Sequence, residues 1–284
     1  MKTEQINVVT YEPDNSLRSG CFQTFRQIYR ELIESRWLTY QLFMRDFTTM
    51  YKQSFIGFLW IFIMPVLNVG IFALLGRSGI FNYGDISAPY PVFAILGISL
   101  WQVFSSGISS CGYSLNDVGE MILHINFSKK SLVIASIGKS LITFTIQMLL
   151  IVILLVIFRV VPSKFVFFYP LVALPIVIFA LGLGLMISVL NAIVRDTGNL
   201  LGVILMLGMY GTPILYAKPT IGILANVTKY NPLYYFISTG RDLVLTGRLN
   251  EPKGFVLSCL LAVFVFLTGL FVFHLTETRI AERS

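Results

Sequence analysis

The sequence predicts an all-α membrane protein with six transmembrane helices, an N-terminal amphipathic interfacial helix and a re-entrant external segment before the last helix. Hydrophobic residues form 56% of the 284-residue chain and charged residues only 12%, against about 25% charged in an ordinary soluble domain. The apolar residues also fall in long runs, and about 20 of them in a row can cross a bilayer core. A soluble fold could not cover such a core with charge, so a soluble enzyme and a disordered chain are excluded.

The N-terminal region divides into a polar tail, residues 1–21, and an amphipathic stretch, residues 22–52. In the second stretch, apolar residues recur at steps of three and four between charged residues, which is the period of an amphipathic helix. An aromatic face beside cations suits a helix in the lipid headgroup layer, and packing on another subunit is a compatible alternative. The cations expected at the headgroups are Arg26, Arg30, Arg36, Arg45 and Lys52.

Six apolar spans make up the transmembrane domain, residues 53–284. The first span contains the helix-breaking residue Pro65, and the fifth is short and rich in glycine. The spans lie at about residues 55–75, 91–113, 132–158, 165–190, 200–216 and 254–273.

The distribution of cations predicts that both termini face the cytoplasm. Cations concentrate before the first span, and the connection after it, residues 76–90, holds only Arg77. Residues 217–253 disagree with this rule, because they are external in this orientation and yet carry several cations. The apolar pieces 221–227 and 233–237 within it are too short to cross the core. They predict short helices that enter the outer leaflet and line or close an opening; a surface loop is the alternative. The cations of this stretch are Lys218, Lys229, Arg241, Arg248 and Lys253.

The spans carry no chemistry of their own, because their interiors hold no Asp, Glu or His and no metal-ligand pattern occurs. An embedded glycosyl or phosphoryl transferase and an ion-coupled carrier would both need such groups. Gly138-Lys139-Ser140 resembles the end of a phosphate-binding loop, but Val133 stands where that pattern needs glycine. Lys139 is either functional or snorkels to the interface. The cations flank apolar spans, so nucleic acid is not an expected partner. If the protein pumps anything, a partner must supply the energy.

Three groups of motifs, in order along the chain, resemble the permeases of polysaccharide-export ABC transporters. One departure is Ser128, where that family usually has proline. The matching residues are Arg45-Asp46-Phe47 with Tyr51–Trp60 and Pro65, then Gly182-Leu183-Gly184 with Asn191-Ala192 and Arg195-Asp196, and then Pro213-Ile214-Leu215-Tyr216 with Asn231-Pro232-Leu233 and Arg241.

The resemblance implies a homodimeric permease that works with two copies of a separate ATP-binding subunit. Such a transporter exports lipid-linked polysaccharide, of the O-antigen, capsule or teichoic acid type, across the bacterial inner membrane. The chain itself would then be no enzyme and would hold no cofactor or metal, because ATP and Mg²⁺ would bind the partner. An exporter of a small lipid or a drug with the same architecture is the alternative.

Two further sets of candidate residues follow from this interpretation. Aromatic rings can stack on sugar faces while polar groups bond to hydroxyls, so the conduit candidates are Trp60, Asn68, Gln102, Phe104, Tyr210 and Tyr216. ATP binding must act through the cytoplasmic connections, so the coupling candidates are Asp117, Glu120, His124, Lys129, Arg195 and Asp196. The N-terminal cations are expected to draw the diphosphate of a lipid anchor; contact with anionic lipid alone is the alternative.

Overall fold

The computed structural model describes residues 21–52, 57–80, 82–118, 129–194 and 196–283. Within these ranges the regular elements are α-helices and one 3₁₀ turn, Val166–Phe168. The helices are α1 (Cys21–Glu34), α2 (Arg36–Lys52), α3 (Gly57–Arg77), α4 (Tyr90–Val118), α5 (Lys129–Ser136), α6 (Gly138–Ile157), α7 (Tyr169–Ile193), α8 (Asp196–Gly211), α9 (Ile223–Tyr230), α10 (Pro232–Leu245) and α11 (Pro252–Arg283).

The predicted amphipathic stretch consists of two helices, α1 and α2, which meet at Ser35. Backbone hydrogen bonds continue across the junction, from Ser35 to Glu31 and from Thr39 to Ser35. The Ser35 hydroxyl also donates to the Glu31 carbonyl, a local bond that serine often makes within a helix. The stretch is therefore one continuous helical arm, in which regular α-helix is interrupted at Ser35. Residues 1–20 of the predicted tail lie outside the described residues, and Cys21 begins α1.

Five helical segments of the described chain are long and apolar enough to cross a membrane. The helix at the predicted fifth span, α8, has only 16 residues, or about 24 Å, and ends two residues before Pro213, which disfavours a further helical turn. The five candidate spans are Leu59–Arg77, Tyr90–Asp117, Lys129–Ile157, Val166–Ile193 and Pro252–Thr276.

Local helix breakers interrupt these spans less than the sequence suggests. Helix α3 runs through Pro65, because a proline removes one backbone hydrogen bond and the rest of the ladder can continue. The third span consists of α5 and α6, which meet at Ile137. Ile137 keeps right-handed helical dihedral angles, so the two helices form one continuous span.

Helices α4 and α7 pack along each other at the centre of the bundle. A Cβ atom at Gly184 of α7 would overlap Cys111 of α4. On the other side of α7, a Cβ at Gly182 would lie 2.6 Å from the Phe266 backbone of α11. Small residues thus let three helices approach backbone to backbone, as helices in membranes commonly do. Helix α6 covers the other side of α4.

The two ends of the bundle carry different helices. Helix α2 contacts α5 and α6, at the end where these helices begin. Helix α10 contacts α4 and α11, and the start of α4 is bonded to α10 through the Phe93 carbonyl. Since α4 runs from one end to the other, we call these the α2 end and the α10 end. The apolar pieces 221–227 and 233–237 lie in the short helices α9 and α10.

Candidate functional site

At the α2 end, two ion pairs fasten the helical arm to the third span. The ammonium of Lys130, a residue only 1% exposed, lies 2.5 Å from the Glu31 carboxylate. The ammonium of Lys139 lies 3.5 Å from the Asp46 carboxylate, which also accepts from Arg45 at 2.9 Å. A buried cation without a partner is costly, so these pairs favour the docked position of α1 and α2. Lys139 therefore has a protein partner, which simple snorkelling to lipid does not require.

The tripeptide that resembles a phosphate loop serves this docking. A Cβ at Gly138 would overlap the Phe43 ring of α2, so the glycine lets α2 approach α6. The Ser140 hydroxyl donates to the Ile137 carbonyl at 2.8 Å and is thus already used inside the helix. The resemblance to a nucleotide site arises from close helix packing.

The opposite face of the arm is exposed and combines apolar side chains with cations. Arg26, Arg30 and Arg36 are exposed along it, and Arg45 is half exposed beside Asp46. Lys52 lies in the last turn of α2, and its side chain is outside the described part of the chain. Aromatic and cationic groups together suit a lipid headgroup layer or a subunit surface. The exposed apolar residues are Tyr29, Ile33, Trp37, Tyr40, Met44 and Phe47.

Replacing Lys130 with methionine should loosen the arm from the bundle, because Glu31 would keep a partly buried charge without its cation. We expect trypsin to cleave at Arg26 and Arg30 about tenfold faster, which corresponds to about 1.4 kcal/mol of docking energy. The measurement is limited proteolysis of the protein in liposomes. Lys164→Met is the matched control, since Lys164 lies 5.4 Å from the Phe165 ring and has no carboxylate within 4.0 Å among the described residues. Unchanged cleavage of the Lys130 variant would show that the ion pair does not hold the arm.

The structure places the six conduit candidates in two kinds of position. Trp60 of α3 and Tyr210 of α8 are 47% and 50% exposed, on helices that pack loosely on the bundle, and Asn68 is half-buried on α3. Phe104 is 6% exposed and stacks on Phe179, with ring centroids 5.7 Å apart. A conduit role for these four residues stays a prediction.

Hydrogen bonds hold the other two conduit candidates. The Gln102 side-chain carbonyl accepts from the Gln147 amide across α4 and α6. The Tyr216 hydroxyl donates to the Tyr210 carbonyl at 2.7 Å. Both bonds couple neighbouring elements within the chain, and lining a conduit remains a prediction for these residues as well.

The coupling candidates lie near the ends of α4, α5 and α8. Asp117 and Asp196 are exposed, and Lys129 is buried at the start of α5. Glu120, His124 and Arg195 fall outside the described residues, so their predicted role stays a prediction. Asn191, from the second motif, is buried and donates to the Gly112 carbonyl at 3.0 Å. It therefore joins the end of α7 to α4 beside the coupling connections.

At the α10 end, the guanidinium of Arg241 is buried and bonded to three backbone carbonyls. It donates to Phe93 at 3.1 Å, to Pro213 at 2.9 Å and to Ile214. It also lies 3.6 Å from the centroid of the Phe93 ring, a cation–π arrangement. Pro213 and Ile214 follow the end of α8, where the chain leaves the helix and the dipole favours a cation. Arg241 thus joins α10, α4 and the end of α8.

Asn231 completes this junction. Its side-chain oxygen accepts from the Leu233 backbone at 3.0 Å, which caps the start of α10. Its amide donates to the Thr212 hydroxyl at 2.8 Å. Pro232 occupies the first helical position, which tolerates proline. The motif Asn231-Pro232-Leu233 therefore starts α10 and ties it to the segment after α8.

The third motif and Arg241 were recognised in the sequence, but the burial of Arg241 and its place at the junction were not predicted. A usable signal was present, because Arg241 follows an apolar piece and Gly240. A helix that buries this apolar piece would also bury the Arg241 side chain. Among the described residues, no group of three or more His, Cys, Asp or Glu side chains is placed to hold a metal ion. The features that the described part of the chain does show are close helix packing, the ion pairs at the α2 end and the Arg241 junction at the α10 end.

The described chain has five helical segments that could cross a membrane, a helical arm at one end and a polar junction with two short helices at the other. These features define a multi-pass helical membrane protein. Residues 38–245 match the family described as ABC-2 type transporter. The chain belongs to the ABC-2 type transporter family, and the resemblance found in the motifs is confirmed. Members of this family are membrane subunits of a transporter whose ATPase activity resides in a separate subunit, so the chain is a permease and works with an ATP-binding partner.

Curated relatives match almost end to end. An O-antigen export system permease protein RfbA of Klebsiella pneumoniae is 31% identical over 246 residues, which cover 84% of this chain and 91% of the relative. The RfbA permease of Myxococcus xanthus is 24% identical over 90% of this chain and 98% of its own length. A second Klebsiella pneumoniae RfbA is 28% identical over 84% of this chain. The similarity thus includes nearly all of the chain.

Proposed function

We propose that the protein is the permease of an ATP-driven exporter that moves lipid-linked polysaccharide of the O-antigen type across the bacterial inner membrane. The observation that carries this proposal is the match to O-antigen export permeases over 84% of the chain. In this proposal two permeases form a homodimer, and each binds one ATP-binding subunit, which holds ATP and Mg²⁺.

The exposed faces of α3 and α8 support the dimer and its conduit. Only Gly198 and Leu201 of α8 are buried, and most of α3 is also uncovered by the rest of the chain. In the proposal α8 is the fifth of six spans and faces the other protomer, where its short length is tolerated beside protein and a wet conduit. Trp60 and Tyr210 lie on these faces, so sugar rings could stack on them.

The two ends of the bundle support an orientation with both termini in the cytoplasm. The α2 end carries the arm with its exposed arginines, as a cytoplasmic surface does. The end of α4 and the starts of α5 and α8 lie near this end, and the connections that join them are the proposed contacts of the ATP-binding subunit. The arm would receive the diphosphate of the lipid anchor on its exposed arginines. The α10 end, with α9 and α10 entering the outer leaflet, would form the external exit.

The permease should have no motor of its own. We expect the permease to purify with its ATP-binding subunit as a one-to-one complex. ATP hydrolysis by this complex should rise when lipid-linked O-antigen-type polysaccharide is added. The measurements are the subunit ratio in detergent and ATP turnover in liposomes with and without the polysaccharide. The permease alone, reconstituted in the same liposomes, is the control and should hydrolyse no ATP. Uphill transport by the isolated permease would refute the proposal.

A further inference from the structure

The α10 end carries more cations than an external surface of a membrane protein usually does. Two of the five have internal partners. Arg241 is buried on backbone carbonyls, and Lys218 lies 2.5 Å from Glu251. Partial burial alone would lower the pKa of Lys218, but the hydrogen bond and the charge of Glu251 outweigh it and raise that pKa. These two cations are therefore accounted for by the fold.

Lys229 and Lys253 are not accounted for in this way. Among the described residues, neither has a carboxylate within 4.0 Å. Lys229 lies 5.7 Å from the Tyr230 ring, a weak contact at an exposed site. Lys253 lies in the first turn of α11, where the helix dipole disfavours a cation. Helix stability therefore does not explain why a lysine stands there.

Both lysines line the same groove, of about 880 Å³, between α9, α10 and the start of α11. We call it the lysine groove. Its volume lies within the roughly 300–1,000 Å³ of small-molecule sites. Thr220, Asn226, Tyr235 and Asn250 supply further polar groups to its wall. Lys218 and Glu251 also line the groove and neutralise each other as an ion pair. The groove therefore combines the two positive charges of Lys229 and Lys253 with hydrogen-bonding groups and one aromatic ring.

The groove is rigid where it would contact a ligand. The Tyr235 hydroxyl donates to the Lys229 carbonyl at 2.7 Å, and Gly254 leaves room for the ring, since a Cβ there would overlap it. The Asn250 amide donates to Asp242 at 2.8 Å, and its side-chain oxygen can accept a further bond. A fixed ring and a fixed amide lose little entropy on binding.

We propose that the lysine groove binds a sugar unit that carries an acid group, a carboxylate or a phosphate. The ring of Tyr235 packs on the apolar face of the sugar, Asn226 and Asn250 bond to its hydroxyls, and Lys229 and Lys253 hold the acid. A phospholipid headgroup shares the phosphate but offers no sugar ring, so the tyrosine and the amides favour the sugar. This inference rests on the proposed export of polysaccharide and would place a contact for acidic chains at the exit.

The test is calorimetric titration of the complete transporter in nanodiscs, without ATP. The probes are a tetrasaccharide that contains glucuronic acid and the neutral maltotetraose. We expect the acidic probe to bind at least about tenfold tighter at low salt, and this preference to shrink in high salt because exposed charges are screened. The double variant Lys229→Gln with Lys253→Gln should lose the preference. Arg248→Gln, an exposed cation of the same segment outside the groove, should keep it.

Three results would overturn the inference: equal binding of both probes, an unchanged preference in the double variant, or an equal loss in Arg248→Gln. Glycerol 3-phosphate provides a further arm. If it binds in a lysine-dependent manner and the acidic tetrasaccharide does not, the groove is a headgroup site and the inference is wrong. The titration needs no ATP hydrolysis and can be repeated on the permease alone. A failure of the export proposal is therefore distinguishable from a failure of the groove.

Discussion

Replacing Arg241 with methionine should lower the free energy of unfolding by about 3 kcal/mol. Hydrogen bonds to a charged group contribute roughly 1.5–3 kcal/mol each, and three are lost with the guanidinium. Part of that loss is offset, because methionine removes the cost of burying a cation. The carbonyls of Pro213 and Ile214 would remain without this donor, at a place where backbone groups need protein partners.

Graded variants separate the roles of Arg241. Lysine keeps the charge but not the planar fork that reaches three carbonyls, so Arg241→Lys should lose about half as much stability. Gly97→Ala keeps Arg241 in the sequence but displaces its guanidinium, because a Cβ at Gly97 would overlap that group. Equilibrium unfolding in mixed detergent micelles gives the free energies. Arg248→Met, which removes an exposed cation, is the control. A native-like free energy of unfolding for Arg241→Met would show that Arg241 does not stabilise the junction.

Replacing Gly182 with leucine should destabilise the bundle by about 3 kcal/mol or more. Overpacking a tight contact costs about 1–3 kcal/mol when side chains can shift, and here the opposing atoms are backbone. A Cβ at Gly182 would lie 2.6 Å from the Phe266 nitrogen and 2.7 Å from the Val265 carbonyl carbon. Helix α11 would have to move away from α7 as a body.

A matched glycine makes this result interpretable. A Cβ at Gly70 of α3 would meet no neighbouring atom within 4 Å, so Gly70→Ala should leave stability unchanged or raise it by up to about 1 kcal/mol through helix propensity. Gly182→Ala should already lose stability in the same unfolding assay. If both alanine variants match the native protein, α7 and α11 do not touch backbone to backbone.

Local patterns in the sequence were sufficient to predict most helices. Spans two, four and six were predicted within five residues at most ends, because apolar length and the flanking polar residues define them. The prediction was less accurate where one residue changes the backbone course. Regular α-helix is interrupted at Ser35, and α8 ends at Gly211, after which the carbonyls of Pro213 and Ile214 accept from Arg241.

The candidate site was predictable only in part. Arg45-Asp46, Asn231-Pro232-Leu233 and Arg241 were recognised as motifs, yet their partners were not. The sequence leaves Lys139 open between function and snorkelling, and the structure adds one partner, the Asp46 carboxylate at 3.5 Å. The groove around Lys229 could not be predicted at all, since α9, α10 and α11 form it together.

The sequence alone determined that this protein is a helical membrane subunit without a motor, because bilayer thickness and the cost of buried charge act on every short stretch of chain. The tertiary structure decided which polar groups meet. Lys130 and Glu31 are 99 residues apart in the chain, and Arg241 and Phe93 are 148 residues apart. No local periodicity encodes such distances; they follow from how the helices pack, which Gly97 permits beside Arg241 and Gly138 permits beside α2.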